Sequence, residues 1–174
     1  AILENANWAP SHGLTEPWRF TIFTGAARED LSAKLRRLYV IKTPEKDFRE
    51  DKLEKLGRNP LLADVVIVIG MKRQDAEKIP EVEEIAAVSC AVQNMHLTAS
   101  AIGLGAFWST PPIVYTAEMT TFIGLDPARD QCLGIFYLGW PKDAEVGGQP
   151  SSGQEDKWPK GHRQPVEGKI TWKE

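Results

Sequence analysis

Three groups of residues in this 174-residue chain have the types and spacing to do chemistry. The first is the turn Trp8-Ala9-Pro10-Ser11-His12-Gly13-Leu14-Thr15-Glu16-Pro17-Trp18, where an imidazole stands beside glycine with a tryptophan at each end. Neutral or charged, that imidazole can donate to phosphate or sugar-alcohol oxygens; a loop histidine capping a helix end is the equally weighted plain reading. The second is Trp108-Ser109-Thr110, whose hydroxyls and backbone amides suit the polar edge of a heteroaromatic ring beside an indole wall. Taken alone, a tryptophan after Gly103-Leu104-Gly105 is more often simple core. The third is the basic tail of Lys157, Lys160, His162 and Arg163, in which one or two cations can pair with a phosphate; such clusters are usually solvated surface.

Other chemistries lack their residues. Cys90 and Cys132 have neither a CxxC nor a histidine at metal spacing, so they read as buried free thiols of a reducing, cytoplasmic compartment. Glu81, Glu83 and Glu84 read as a charge set at a helix start, Asn94 and His96 point different ways from one helix, and His96 reads as an interior or interface histidine. No GxSxG occurs, and Gly103-x-Gly105 follows a helix and lacks a third glycine, so neither a serine hydrolase nor a dinucleotide fold is indicated. A net charge of −3 offers no basic field for nucleic acid, and the apolar run from Ile85 to Trp108 is interrupted by Gln93, Asn94 and His96, so no membrane span is expected.

These residues need elements to hold them. Residues 1–9 read as a helix end broken by Pro10, Trp18 to Thr24 as a strand, and Ala27 to Tyr39 as a helix with Leu31, Leu35 and Leu38 on one face. Lys42 to Arg58 reads as a solvated helix or lid anchored by Phe48, Leu53 and Leu56. Leu61 to Ala63 lead into Val65-Val66-Ile67-Val68-Ile69-Gly70, a β-branched run expected at the centre of a sheet, buried on both faces. The longest helix is expected from Glu81 to Ile102 behind Pro80, its small residues permitting close approach on several sides. A short strand over Ala106 to Thr110, a short helix over Glu118 to Ile123 and a strand over Leu133 to Leu138 follow. One domain of 174 residues is expected, with 143–174 an extended C-terminal arm lacking its own core and Ile170-Thr171-Trp172 a terminal strand pairing elsewhere.

Ala9-Pro10-Ser11-His12 followed by Pro17-Trp18, then Gly103 to Thr110, then Lys160-Gly161-His162-Arg163-Gln164-Pro165 resemble, in that order, the short single-domain members of the FMN-dependent nitroreductase family. The resemblance implies an α+β fold with a mainly antiparallel sheet wrapped by helices, in a homodimer whose C-terminal arms exchange. It implies FMN, with NADH or NADPH as electron donor and a small electron-poor acceptor such as a nitroaromatic or quinone. The flavin carries the chemistry, and no catalytic side chain is assigned. The cofactor-binding residues implied are Trp8, His12, Glu16, Trp108, Ser109, Thr110, Lys160 and Arg163, with Arg163 foremost on the phosphate. Two departures stand out: relatives often carry a basic residue in place of Trp8 and an amide or arginine in place of Glu16. The family's N-terminal helix, with its Arg-Arg-Ser-x-Arg signature, is missing ahead of Ala1, so an upstream piece is expected. A flavin-binding module without turnover, for storage or regulation, is the alternative.

Overall fold

The computed structural model describes residues 1–141 and 163–173. Helix α1 (Ile2–Ala6) leads through the Pro10 turn into strand β1 (Trp18–Phe23), and helix α2 (Ala27–Lys42) and helix α3 (Glu50–Leu62) follow. Strand β2 (Val65–Met71), the long helix α4 (Glu81–Ala101), strand β3 (Gly105–Ser109), helix α5 (Ala117–Phe122) and strand β4 (Gln131–Gly139) complete the core. The strands make one sheet in the order β1-β2-β4-β3, every neighbour antiparallel. The α+β architecture expected from the resemblance is therefore present.

The β-branched run of β2 lies at the sheet centre because both of its faces are covered. Ile67, Ile69 and Met71 pack with α1 and α4 residues such as Ala6, Val88, Val92 and Met95. Val66 and Val68 face Leu31, Leu35 and Leu38 of α2, together with Leu53 of α3 and Met119 of α5. β4 keeps the same two-sidedness despite an irregularity: the register slips where Ile69 faces Gly134 and Gly70 faces Cys132, adding one residue to β4. That bulge turns Leu133 to one core and Ile135 to the other, although strict alternation would put both on one face.

The 42–63 segment differs from its sequence reading. Thr43 and Pro44 end α2, a single 3₁₀ turn spans Glu45–Asp47, and α3 begins only at Glu50 and continues through Pro60 to Leu62. A proline near a helix end removes one amide donor, a small local loss. Side chains from α2 also serve the end of α3: Ser32 Oγ donates to the Gly57 carbonyl at 2.6 Å, and Arg28 donates to the Ala63 carbonyl. Gly57 lets Arg36 lie across the contact of the two helices, since a Cβ there would meet Arg36 Cδ at 2.6 Å and move that side chain aside.

The start of α4 corrects a second reading. Glu84 is 1% exposed and is more than a helix-end charge. It accepts from Arg73 Nη1 at 2.7 Å and from the Gln74 amide at 3.1 Å, while Asp130 accepts from the Arg73 and Asp126 amides at 3.0 and 3.1 Å. This network pins the loop after β2 to both α4 and the loop before β4. Cys132 is buried as expected, with burial pushing its thiol up to about 11, but Cys90 is exposed. It lies in an outward stripe of α4 with Val82, Ala86, Gln93, Leu97 and Ala101, so the long helix buries only its opposite side. Among the described residues, no helix is long and apolar enough to cross a membrane.

Candidate active site

The turn between α1 and β1 is built from unusual backbone. Gly13, Leu14 and Glu16 have φ of 61°, 53° and 44°, and two of these three left-handed positions carry side chains. Left-handed non-glycine residues cost of order 1 kcal/mol each and persist only where surrounding bonds enforce them. Here Ser11 Oγ accepts from the Glu16 amide at 3.3 Å, and Arg19 Nη1 donates to the Glu16 carbonyl at 2.9 Å. Trp18 fixes the turn's exit, its indole N–H donating to Asn7 Oδ1 at 3.0 Å, and Pro17 accepts from the Lys72 amide at 2.8 Å.

On that frame His12 is exposed, and its Nδ1 lies 2.6 Å from Glu83 Oε2 in the first turn of α4. The contact fixes the ring and leaves Nε2 for a ligand. Glu16 is exposed in the same turn, and Trp8 is 80% exposed. Two residues of this region were not assigned to the site from the sequence. Glu83 gave no local signal, because its partner is 71 positions away. Thr15 lay inside the quoted turn, and its hydroxyl is buried without a hydrogen-bond partner among the described residues.

Trp108 and Ser109 end β3, the opposite edge of the sheet from β1, and Thr110 follows them. Three strand spacings of about 4.8 Å put the two edges roughly 14 Å apart. Alternation divides the three residues. Trp108 packs into the α1/α4 core, the same layer that holds Ala6 and Ala9 beneath the His12 turn. Its indole stands over Gly134, where φ is 142° and any Cβ would collide with Nε1. That Nε1 is buried with no hydrogen-bond partner among the described residues, a deficit worth about 1–3 kcal/mol. Ser109 turns the other way and lines a cavity of about 750 Å³ shared with Tyr39 and Tyr137. Thr110 is exposed just beyond the strand.

Arg163 is exposed in a stretch of neither helix nor strand ahead of a 3₁₀ turn at Glu167–Lys169, and Ile170, Thr171 and Trp172 form no strand with the described residues. Lys160 lies outside the described residues. One chain thus gathers Trp8, His12 and Glu16 in one turn and Trp108 to Thr110 on another edge, and it does not bring these two sets together. His96 is an interior histidine, edge-on to Phe136 at 4.8 Å, with its pKa lowered by burial.

The nitroreductase family model matches residues 1–140. YfhC of Bacillus subtilis (strain 168), named "Putative NAD(P)H nitroreductase", is 31% identical over 149 residues, covering 82% of this chain and 72% of that protein. A nitroreductase-like family protein from Bacillus cereus superposes with a TM-score of 0.71 at 25% identity, over 99% of this chain and 82% of the other. A protein from Desulfovibrio desulfuricans named "putative nitroreductase" and solved in complex with FMN superposes with a TM-score of 0.63 at 25% identity, over 99% of this chain and 81% of the other.

Proposed function

The chain belongs to the nitroreductase family, and from that premise we propose that it binds FMN and works as an NAD(P)H-dependent oxidoreductase. The electron acceptor in this reading is small and electron-poor, a nitroaromatic or a quinone. FMN, when bound, supplies the hydride chemistry between nicotinamide and acceptor.

The described residues fit such a group. The observation that carries this reading is the buried Trp108 N–H without an acceptor among the described residues, on a family-matched strand whose hydroxyl-bearing Ser109 faces the other side of the sheet and is followed by Thr110. A heteroaromatic edge rich in carbonyl and ring-nitrogen acceptors answers donors of these types, each from its own side of the strand. His12, oriented by Glu83, donates through Nε2 to ribityl or phosphate oxygens, with Glu16 and Trp8 beside it. Arg163, with Lys160 second, supplies charge for the phosphate. No side chain is assigned as a general base.

Two copies complete the crevice in this reading. The His12 turn and the Trp108 strand lie at opposite sheet edges, so the turn of one copy and the strand of another can close on one flavin. The exposed stripe from Val82 to Ala101 on α4 offers a mostly apolar face for that homodimer. The chain acts in the cytoplasm on this proposal.

The test is uptake and turnover. Protein saturated with FMN and freed of excess should be yellow, and anaerobic stopped-flow mixing with NADH or NADPH should bleach it, with colour returning on addition of a nitroaromatic or quinone. A colourless product rejects the cofactor. A yellow product bleached by neither nucleotide rejects the oxidoreductase and leaves the flavin-binding module.

A further inference from the structure

We infer that the outward face of α2 is a contact surface for a second copy of this chain, taken up helix against helix and antiparallel. α2 covers the opposite side of the sheet from α4, so this contact is separate from the dimer face of the flavin reading.

The pattern of α2 sets its outward face apart. Glu29, Asp30, Ala33, Arg36, Arg37 and Val40 are all exposed. At 3.6 residues per turn they fall within about 120° of one side, with Ala33 in the middle. Both acids precede Ala33 and both arginines follow it. Glu29 and Arg36 share the flank beside α3, where the Arg36 stem lies against Gly57. Asp30 and Arg37 share the flank toward α5, on which Lys34 lies over Phe122.

A helix that only meets water often interleaves its charges at i and i+4, so that they pair along its own surface. α2 segregates them instead. Neither arginine has an acid three or four positions away, and each acid stands seven residues, about 10 Å, from the arginine of its flank. Lys34, four residues beyond Asp30, is held 5.4 Å from the Phe122 ring centroid, and Lys42 is paired with Glu118. Those two cations are used within the chain. Glu29, Asp30, Arg36 and Arg37 make no ion pair or side-chain hydrogen bond among the described residues.

A second copy turned end over end answers all four charges. A two-fold axis at Ala33 brings Glu29 to Arg36 of the other copy on one flank and Asp30 to Arg37 on the other, and symmetry repeats both. The Ala33 methyl permits the axis separation of about 8–10 Å found between packed helices. Val40, 54% exposed, then comes against the exposed Ala26 of the other copy. Parallel approach would set acid against acid and arginine against arginine, so charge selects one orientation. Exposed ion pairs are individually weak and screened by salt, so the association is reversible and salt-sensitive.

Sedimentation velocity of the full chain over a wide range of concentration tests this. The chain should self-associate reversibly beyond its smallest species, about tenfold more weakly in about 0.5 M than in about 0.05 M NaCl. Arg36→Glu with Arg37→Glu, and separately Glu29→Arg with Asp30→Arg, should each stay at the smallest species. An equimolar mixture of these two double variants should associate again, because every facing pair is then opposite in charge. Circular dichroism checks that the fold is kept. If a double variant fails to fold, Ala33→Arg decides, since it sets a bulky cation against itself at the centre and should abolish association. No association of the unaltered chain, insensitivity to salt, association of either double variant alone, no recovery in the mixture, or association retained by Ala33→Arg would each overturn the proposal. The smallest species is the monomer or the α4 dimer, and all variants share it. Failure here therefore leaves the flavin reading intact, and a chain that takes up no FMN still answers the question.

Discussion

His12 Nδ1 and Glu83 Oε2 stand 2.6 Å apart and join the left-handed turn before the first strand to the first turn of the long helix. If this contact orients the imidazole toward a flavin, its two members act as a unit. Glu83→Gln should lower FMN affinity about threefold, His12→Ala about tenfold, and the double variant no further than His12→Ala. Fluorescence quenching of FMN measures all three, and additive losses would separate Glu83 from the site.

Trp108 carries a buried donor with no acceptor among the described residues. Trp108→Phe removes the N–H and keeps an aromatic ring above Gly134. FMN affinity should fall about tenfold, the scale of one hydrogen bond, while the melting temperature of flavin-free protein holds or rises. A fall in melting temperature without loss of affinity would assign the indole to packing alone.

The Arg73–Glu84 pair is buried and bridges three segments. Glu84→Ala leaves a guanidinium only 11% exposed without its carboxylate and should cost about 3–5 kcal/mol in urea denaturation. Arg73→Met with Glu84→Leu should recover most of that loss, because neither charge is then left alone.

His96 has its pKa lowered from 6.5 by burial, so the folded state disfavours its protonated form. Below about 6.5 the unfolded chain binds more protons at this site than the folded chain, and folding stability therefore falls as pH falls. Between pH 7 and 5 the denaturation midpoint should decline, and His96→Gln should flatten the decline. An identical slope in the variant would place the acid sensitivity elsewhere.

Arg163 is the foremost phosphate ligand of the proposed site. Arg163→Ala should weaken FMN by about 1.5–3 kcal/mol, the range of a charge-assisted contact, with riboflavin affinity unchanged. Equal loss for both flavins would remove the phosphate assignment.

The sequence disclosed most readily what local pattern controls. The β-branched run of β2, the leucine face of α2 and the start of α4 behind Pro80 all follow from periodicity and stop signals. The limits of α3 did not, since Pro60 resembles a terminator, and the bonds from Ser32 and Arg28 that serve the helix end come from another helix. Glu84 looked like a helix-start carboxylate because its burial depends on Arg73 and on the fold around them. Cys90 looked interior because α4 is apolar on both sides, and only packing reveals which side faces out. In the candidate site, the His12 turn and the Trp108 strand were legible as separate motifs. Their placement at opposite edges is a property of strand order, which no motif encodes.

That strand order also governs how the molecule is made. No two neighbouring strands form a hairpin: Trp18 pairs with Met71 and Val65 with Leu138, and even the nearest partners, Ser109 and Ile135, are separated by α5. Closing such loops loses chain entropy before any rung forms, which places folding toward the slow end for chains of this size. During synthesis β2 must wait, one side unclaimed, until β4 leaves the ribosome and completes the sheet.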